Sequence, residues 1–231
     1  MKIFVGMDDT DVLGSEVGTG QLARMVMDGL ARDHIIGSGV SRHQLLFDRR
    51  IPYTAKNSAN VIHLLADQVD LPALADHAAA IMQAHYQPGS DPGLCVGYEI
   101  PAGIAAFGQR AKQEIVTQEE ALALARQYYL ILRGLGGTNG GVIGALAGVG
   151  LASSGEDGRF TLIGRSRDIR GMASIADILG AGVASVRTVQ GEAIAQGEVD
   201  CGDKIRPSLR GGQAVLFVEA VNGHWRALRF D

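Results

Sequence analysis

Cysteine is scarce: Cys95 and Cys201 are the only two among 231 residues, so no disulfide framework is available. Neither belongs to a CxxC pair, which removes the usual ligand spacing of a structural zinc site. Aromatic residues make up only 5% of the chain. No apolar run reaches membrane-spanning length, and no basic segment followed by an apolar one opens the chain. A soluble, cytoplasmic protein with no membrane partner is therefore expected. Positive charge is not in excess either. A formal net charge of -4 argues against broad, nonspecific nucleic-acid binding, which needs clustered Lys and Arg, although it leaves room for a local basic patch. The six histidines are scattered without an HExxH pair, and there is no Gly-x-Ser-x-Gly elbow and no Gly-Lys-Ser/Thr of a Walker loop.

Glycine, by contrast, is abundant at 32 residues, which points to tight turns and close backbone approaches. The richest stretch is the first twenty residues. Lys2 to Met7 reads as a buried strand that delivers Asp8, Asp9 and Asp11 onto the loop at its end. Gly18-Thr19-Gly20 then opens a segment whose Leu22, Met25, Val26 and Leu30 have helical spacing. Carboxylates this close repel one another unless a cation intervenes, and oxygen-only ligands favour Mg²⁺ shared with substrate phosphates. Thr19 would stand where orphan backbone N–H groups attract anions. The alternative is an acidic turn in which Asp9 or Asp11 is an ordinary cap.

Two further segments carry polar chemistry. Gly134 to Gly141, including Gly137, Thr138, Asn139 and Gly140, breaks regular structure before the small-residue helix that starts at Val142. Such a loop either cradles an anion or connects two helices, because the pattern from Thr117 predicts a helix running to about Gly134. Ile51 to Ser58, with Arg49 and Arg50 before it and Lys56 within it, offers hydroxyl, amide and cationic groups, or is a solvated turn. Ser90-Asp91-Pro92-Gly93 reads as a turn.

The remaining pattern is mixed α and β. Leu45–Phe47, Val61–Leu65, Gly93–Ile100, Phe160–Ile163 and Ala214–Val218 read as strands. Asp70 caps a helix with Pro72 in its first turn, running to about His85. Thr117-Gln118-Glu119-Glu120 reads as a capping box, and Asn222-Gly223 as the type I′ turn of a hairpin. The stretch from Gly103 to Gln113 is uncommitted, and a domain boundary is placed there.

These blocks together resemble the archaeal isoleucine-tRNA 2-agmatinylcytidine synthetases. Gly6-Met7-Asp8-Asp9-Thr10-Asp11 followed by Gly18-Thr19 is similar to that family's GIDDTDS…T signature. Ile51 to Asn60 resembles its IPWKTRGNGA segment, and Ser90–Gly93 its (T/S)(N/D)PG turn. Gly140 to Ala147 resembles GRGLIGALAAIG, and Phe160 to Arg165 resembles YELLAYR. The resemblance implies an α/β (α+β) chain with a kinase-like domain at residues 1–112 and a ferredoxin-like domain at 113–231. It implies ATP and Mg²⁺ as cofactors, with Asp8, Asp9 and Asp11 on the metal and Thr19 as the phosphate acceptor. Thr10, Gly18, Gly20, Lys56 and Gly137 to Gly141 would contact the nucleotide. The family activates a tRNA cytidine carbonyl by phosphorylation and joins agmatine there.

Departures shape the substrate expectation. The Lys of IPWKTRG falls on Thr54, its Arg on Lys56, and the Arg of GRG near Gly140. The family's OB-fold and zinc ribbon, which carry tRNA binding, have no counterpart within 231 residues. The expected enzyme is thus an ATP- and Mg²⁺-dependent kinase or ligase acting on a small carbonyl, amide or amine acceptor entering between the domains. Binding of tRNA would need a partner protein, and a homo-oligomer is compatible. Two alternatives stand: a non-catalytic nucleotide sensor, and a phosphatase of the haloacid-dehalogenase type, whose DxD start Asp9-Thr10-Asp11 also resembles.

Overall fold

The computed structural model describes residues 1–31, 34–54 and 56–230; Ala55, in the Ile51–Ser58 segment, lies outside the described residues. Two compact units divide at Ser154/Gly155, later in the chain than the expected 112/113.

The first unit, Met1–Ser154, runs β1 (Lys2–Asp8), α1 (Thr19–Leu30), β2 (Ile35–Gln44), β3 (Ser58–Ala66), α2 (Leu71–His85) and β4 (Gly93–Tyr98). It continues with α3 (Ala102–Ala111), α4 (Gln118–Gln127), β5 (Ile131–Gly134) and α5 (Val142–Ser154). Its strands order as β5-β4-β1-β3-β2. Each neighbouring pair is antiparallel. Residues 2–98 thus form a split βαβ arrangement, ferredoxin-like in topology, within the span to which the resemblance assigns the kinase-like domain.

Alternation along the strands decides which helix each residue meets. Ala59 and Val61 contact α5 at Gly148, while Asn60 between them lies beside Gly20 of α1. Helix α5 approaches the sheet closely, because a Cβ on Gly6 would stand 2.3 Å from the Ala145 carbonyl oxygen. Only small residues permit that distance, which accounts for the run Gly144, Ala145, Ala147, Gly148 and Gly150. The uncommitted stretch is α3, and it packs on α5: a Cβ on Gly150 would collide with Ile104 O at 2.1 Å. No boundary therefore falls between residues 103 and 113.

Local signals hold in part. Asp70 accepts from the Ala73 amide at 3.1 Å and starts α2 as expected. Thr117 accepts from the Glu120 amide at 3.2 Å, but the Glu120 carboxylate pairs with Arg110, so only half of the capping box forms. The strand expected at Leu45–Phe47 is displaced: β2 ends at Gln44, and Leu45 donates to Asn57 O where the chain turns away. The helix expected to run to Gly134 stops at Gln127, because Tyr129 takes a left-handed φ of 56° and Ile131–Gly134 pairs with β4.

The second unit, Gly155–Asp231, contains β6 (Arg159–Ile163), β7 (Met172–Ser174), α6 (Ile175–Gly180), β8 (Ser185–Thr188) and β9 (Glu198–Asp200). β10 (Ser208–Arg210), β11 (Gln213–Val221) and β12 (His224–Ala227) complete it. The strand order is β6-β10-β11-β12-β9-β7, with β8 parallel to β11. Ile175, Ile178, Val186, Val199, Leu216 and Val218 form its core. The Asn222-Gly223 turn joins β11 and β12 with φ of 46° and 87°, as a type I′ hairpin requires. Among the described residues, no helix is long and apolar enough to cross a membrane.

Candidate functional site

Strand β1 ends at Asp8, and its neighbour Asp9 takes a left-handed φ of 51° that turns the chain across the end of the sheet. Asp8 projects toward α5. A Cβ on Gly144 would lie 1.7 Å from Asp8 Oδ2, so the carboxylate fills the space a side chain would occupy in the first turn of that helix. Asp11 turns toward α1 instead. Its Oδ2 accepts from the Thr19 amide at 3.2 Å and satisfies one of the orphan donors at that helix start, where Gly18 supplies no side-chain cap. The Thr10 hydroxyl, buried, donates to the Thr19 hydroxyl at 3.1 Å.

The carboxylates feel one another. Desolvation pushes the Asp8 carboxyl up from 3.8 to about 7, with Asp9 and Asp11 adding repulsion. Burial also raises Asp9, helped by the charges of Asp91 and Asp11. Asp91, read in the sequence only as part of a turn, is thus a fourth member of the group. The signal that could have found it is the Asp-Pro-Gly turn opening the strand next to β1.

The Gly137–Gly141 loop closes around Asp91. Asp91 Oδ1 accepts from the Thr138 amide at 2.9 Å, and Oδ2 accepts from the Thr138 hydroxyl. The Gly141 amide donates to Asp91 O at 2.9 Å, and the Asn139 amide to Gly136 O at 3.1 Å. Gln118 Nε2 donates to Asn139 O at 3.0 Å. A Cβ on Gly137, whose φ is 60°, would meet Asp91 Oδ1 at 1.8 Å. Strand β5 precedes this loop and α5 follows it, so the expected helix–loop–helix is a strand–loop–helix.

Lys56 lies exposed in the segment between β2 and β3, as does Thr54. Arg50 in the same segment pairs with Asp48 at 2.6 Å. Gly20 lies beside Asn60, a residue the sequence reading did not single out as a site. A Cβ on Gly20 would come within 3.3 Å of Asn60 Oδ1.

Among the described residues, no group of three or more His, Cys, Asp or Glu side chains is arranged to hold a metal ion. The donor set at the end of β1 fits a different mode. One or two carboxylates completed by water and phosphate oxygens suit Mg²⁺, which seldom takes an all-protein cage. Crowded carboxylates with raised pKa values are what such a site presents to an arriving cation.

No protein-family model matches the chain, and no curated protein does. Solved structures do match. A tRNA fluorescent labeling enzyme is similar at 28% identity and a TM-score of 0.55, over 65% of this chain and 36% of that one. Apo TiaS, an agmatidine synthetase acting on an isoleucine tRNA, matches at 25% identity and a TM-score of 0.54, over 65% and 35% of the two chains. The TiaS complex with that tRNA and ATP matches at 27% and 0.55, over 65% and 36%. The chain is similar to these structures over this span. The chain thus spans about a third of the length of the structures it matches, and its mixed α/β architecture agrees with theirs.

Proposed function

We propose that this TiaS-like chain binds ATP with Mg²⁺ at the end of β1 and transfers a phosphoryl group. The observation that carries this reading is the arrangement around Thr19. The first residue of α1 is tied through its amide to Asp11 and through its hydroxyl to Thr10, beside the crowded carboxyl groups of Asp8 and Asp9. The N-terminus of α1 favours a phosphate, and bound Mg²⁺ would neutralise charge on the phosphate oxygens. One or two of Asp8, Asp9 and Asp11, completed by water and phosphate oxygens, would hold the cation. Thr10 would hold the Thr19 hydroxyl in place while that oxygen takes the γ-phosphoryl group, with ADP leaving and the Thr19 proton passing to solvent. Catalysis of this kind is mostly positioning and charge neutralisation.

The acceptor in this reading is a small molecule carrying a carbonyl, amide or amine. The net charge of -4 weighs against tight tRNA binding by the chain alone, and a partner would supply that grip if tRNA is the substrate. A nucleotide sensor is favoured by one feature: Asp91 already occupies the Thr138 amide and hydroxyl, so those donors of the Gly-rich loop serve the protein. Incubation with γ-labelled ATP and Mg²⁺ separates the readings. Enzyme action predicts label on Thr19 or turnover stimulated by small amides and amines, both lost in Thr19→Ala. Binding of ATP with neither label nor turnover would mean a sensor.

A further inference from the structure

Asn60 stands on β3, between β1 and β2, opposite Met7 on β1 and Arg42 on β2, and is 4% exposed. Its Oδ1 is buried and has no hydrogen-bond partner, the one such side-chain atom among the described residues. Buried polar atoms are nearly always paired, because an unpaired one keeps the cost of leaving water and gains nothing in return. This oxygen faces the first turn of α1, 3.3 Å from where a Cβ on Gly20 would stand.

Two observations therefore meet at one place: a helix start that favours an anion, and an acceptor that lacks a donor. A phosphate oxygen cannot satisfy this Oδ1, since both are acceptors. The missing partner is a donor travelling with the phosphate. We infer that Asn60 is a ligand-recognition residue, its Oδ1 accepting a hydrogen bond from an O–H group of a nucleotide–Mg²⁺ complex bound at α1. This rests on the reading of the α1 N-terminus as the nucleotide site. The O–H belongs either to the sugar or to a water on the cation. Since the oxygen is closed off in the ligand-free chain, the first turn of α1 must give way at Gly20, which carries no side chain, for the donor to reach it.

Calorimetric titration of ATP with Mg²⁺ into wild type, Asn60→Ala and Gly20→Ala tests the inference, with thermal unfolding of each ligand-free protein as a second readout. Asn60→Ala is expected to weaken binding about tenfold, the scale of one hydrogen bond. Its ligand-free melting temperature should equal or exceed that of wild type, because an unpartnered acceptor is gone. If Asn60→Ala fails to fold, Gly20→Ala decides: a Cβ there should weaken ATP binding without lowering the melting temperature. Deoxy-ATP analogues that weaken wild type but not Asn60→Ala would assign the donor to the sugar; a loss seen only with Mg²⁺ would assign it to metal-bound water. Wild-type affinity in Asn60→Ala, with or without a lower melting temperature, overturns the inference and makes the residue structural. Failure of wild type itself to bind ATP overturns the nucleotide reading, and this inference with it.

Discussion

Asp8 occupies the place of a side chain on Gly144: its Oδ2 lies 1.7 Å from where that residue's Cβ would be. A carboxylate at the end of one strand and a glycine in the first turn of α5 are thus a single fitted pair. In an ordinary helix interior, Gly→Ala stabilises by roughly 0.5–1 kcal/mol. Here Gly144→Ala should destabilise instead and weaken ATP binding, because Asp8 must leave its position. Chemical denaturation of the variant checks the sign, and a gain in stability with unchanged ATP affinity would dissolve the pairing.

The raised Asp8 pKa fixes a direction in pH. Below 3.8 the carboxyl is protonated whether the chain is folded or not; between 3.8 and about 7 the folded state holds a proton that the unfolded state has lost. Stability contributed by this group therefore falls as pH rises through that window, and the penalty is complete above about 7. With metal removed by chelation, Asp8→Asn should be more stable than wild type at pH 8, by on the order of 1–4 kcal/mol. The difference should vanish near pH 4. A variant no more stable at pH 8 would mean that the carboxylate is not strained by its surroundings.

A second titration runs the other way. Buried in the sheet, the Ser41 hydroxyl meets Nε2 of His43 and of His63, each at 2.7 Å. One ring donates to the hydroxyl oxygen and the other accepts its proton, so the accepting ring must be neutral. Burial holds His63 well below its usual 6.5. The unfolded chain binds that proton first, so stability is lost as pH falls below 6.5. His63→Gln should flatten this acid limb relative to wild type between pH 7 and 5. Parallel unfolding curves for the two proteins would contradict it.

Much of this was legible from residue type and spacing. The three strand-end carboxylates, the helix from Thr19, the Asp70 cap and the Asn222-Gly223 hairpin are local events, and local chemistry decides them. What escaped depends on distant partners. Ile131–Gly134 becomes a strand because β4 offers it an edge, although the preceding residues read as helix. Asp91 joins the acidic group only because β4 pairs with β1, and Asn60 matters only because Gly20 of α1 lies over it. The uncommitted residues 103–113 became a helix through packing on α5, which their own pattern did not announce.

The central claim is that the end of β1 and the start of α1 hold ATP through Mg²⁺. Calorimetric titration of ATP into wild type with and without Mg²⁺, repeated with Asp8→Asn, Asp9→Asn and Asp11→Asn, tests it most directly. The account predicts Mg²⁺-dependent binding in wild type, weakened in each variant while the fold is kept. Nucleotide affinity that is absent in wild type, or unchanged in all three variants, would contradict it.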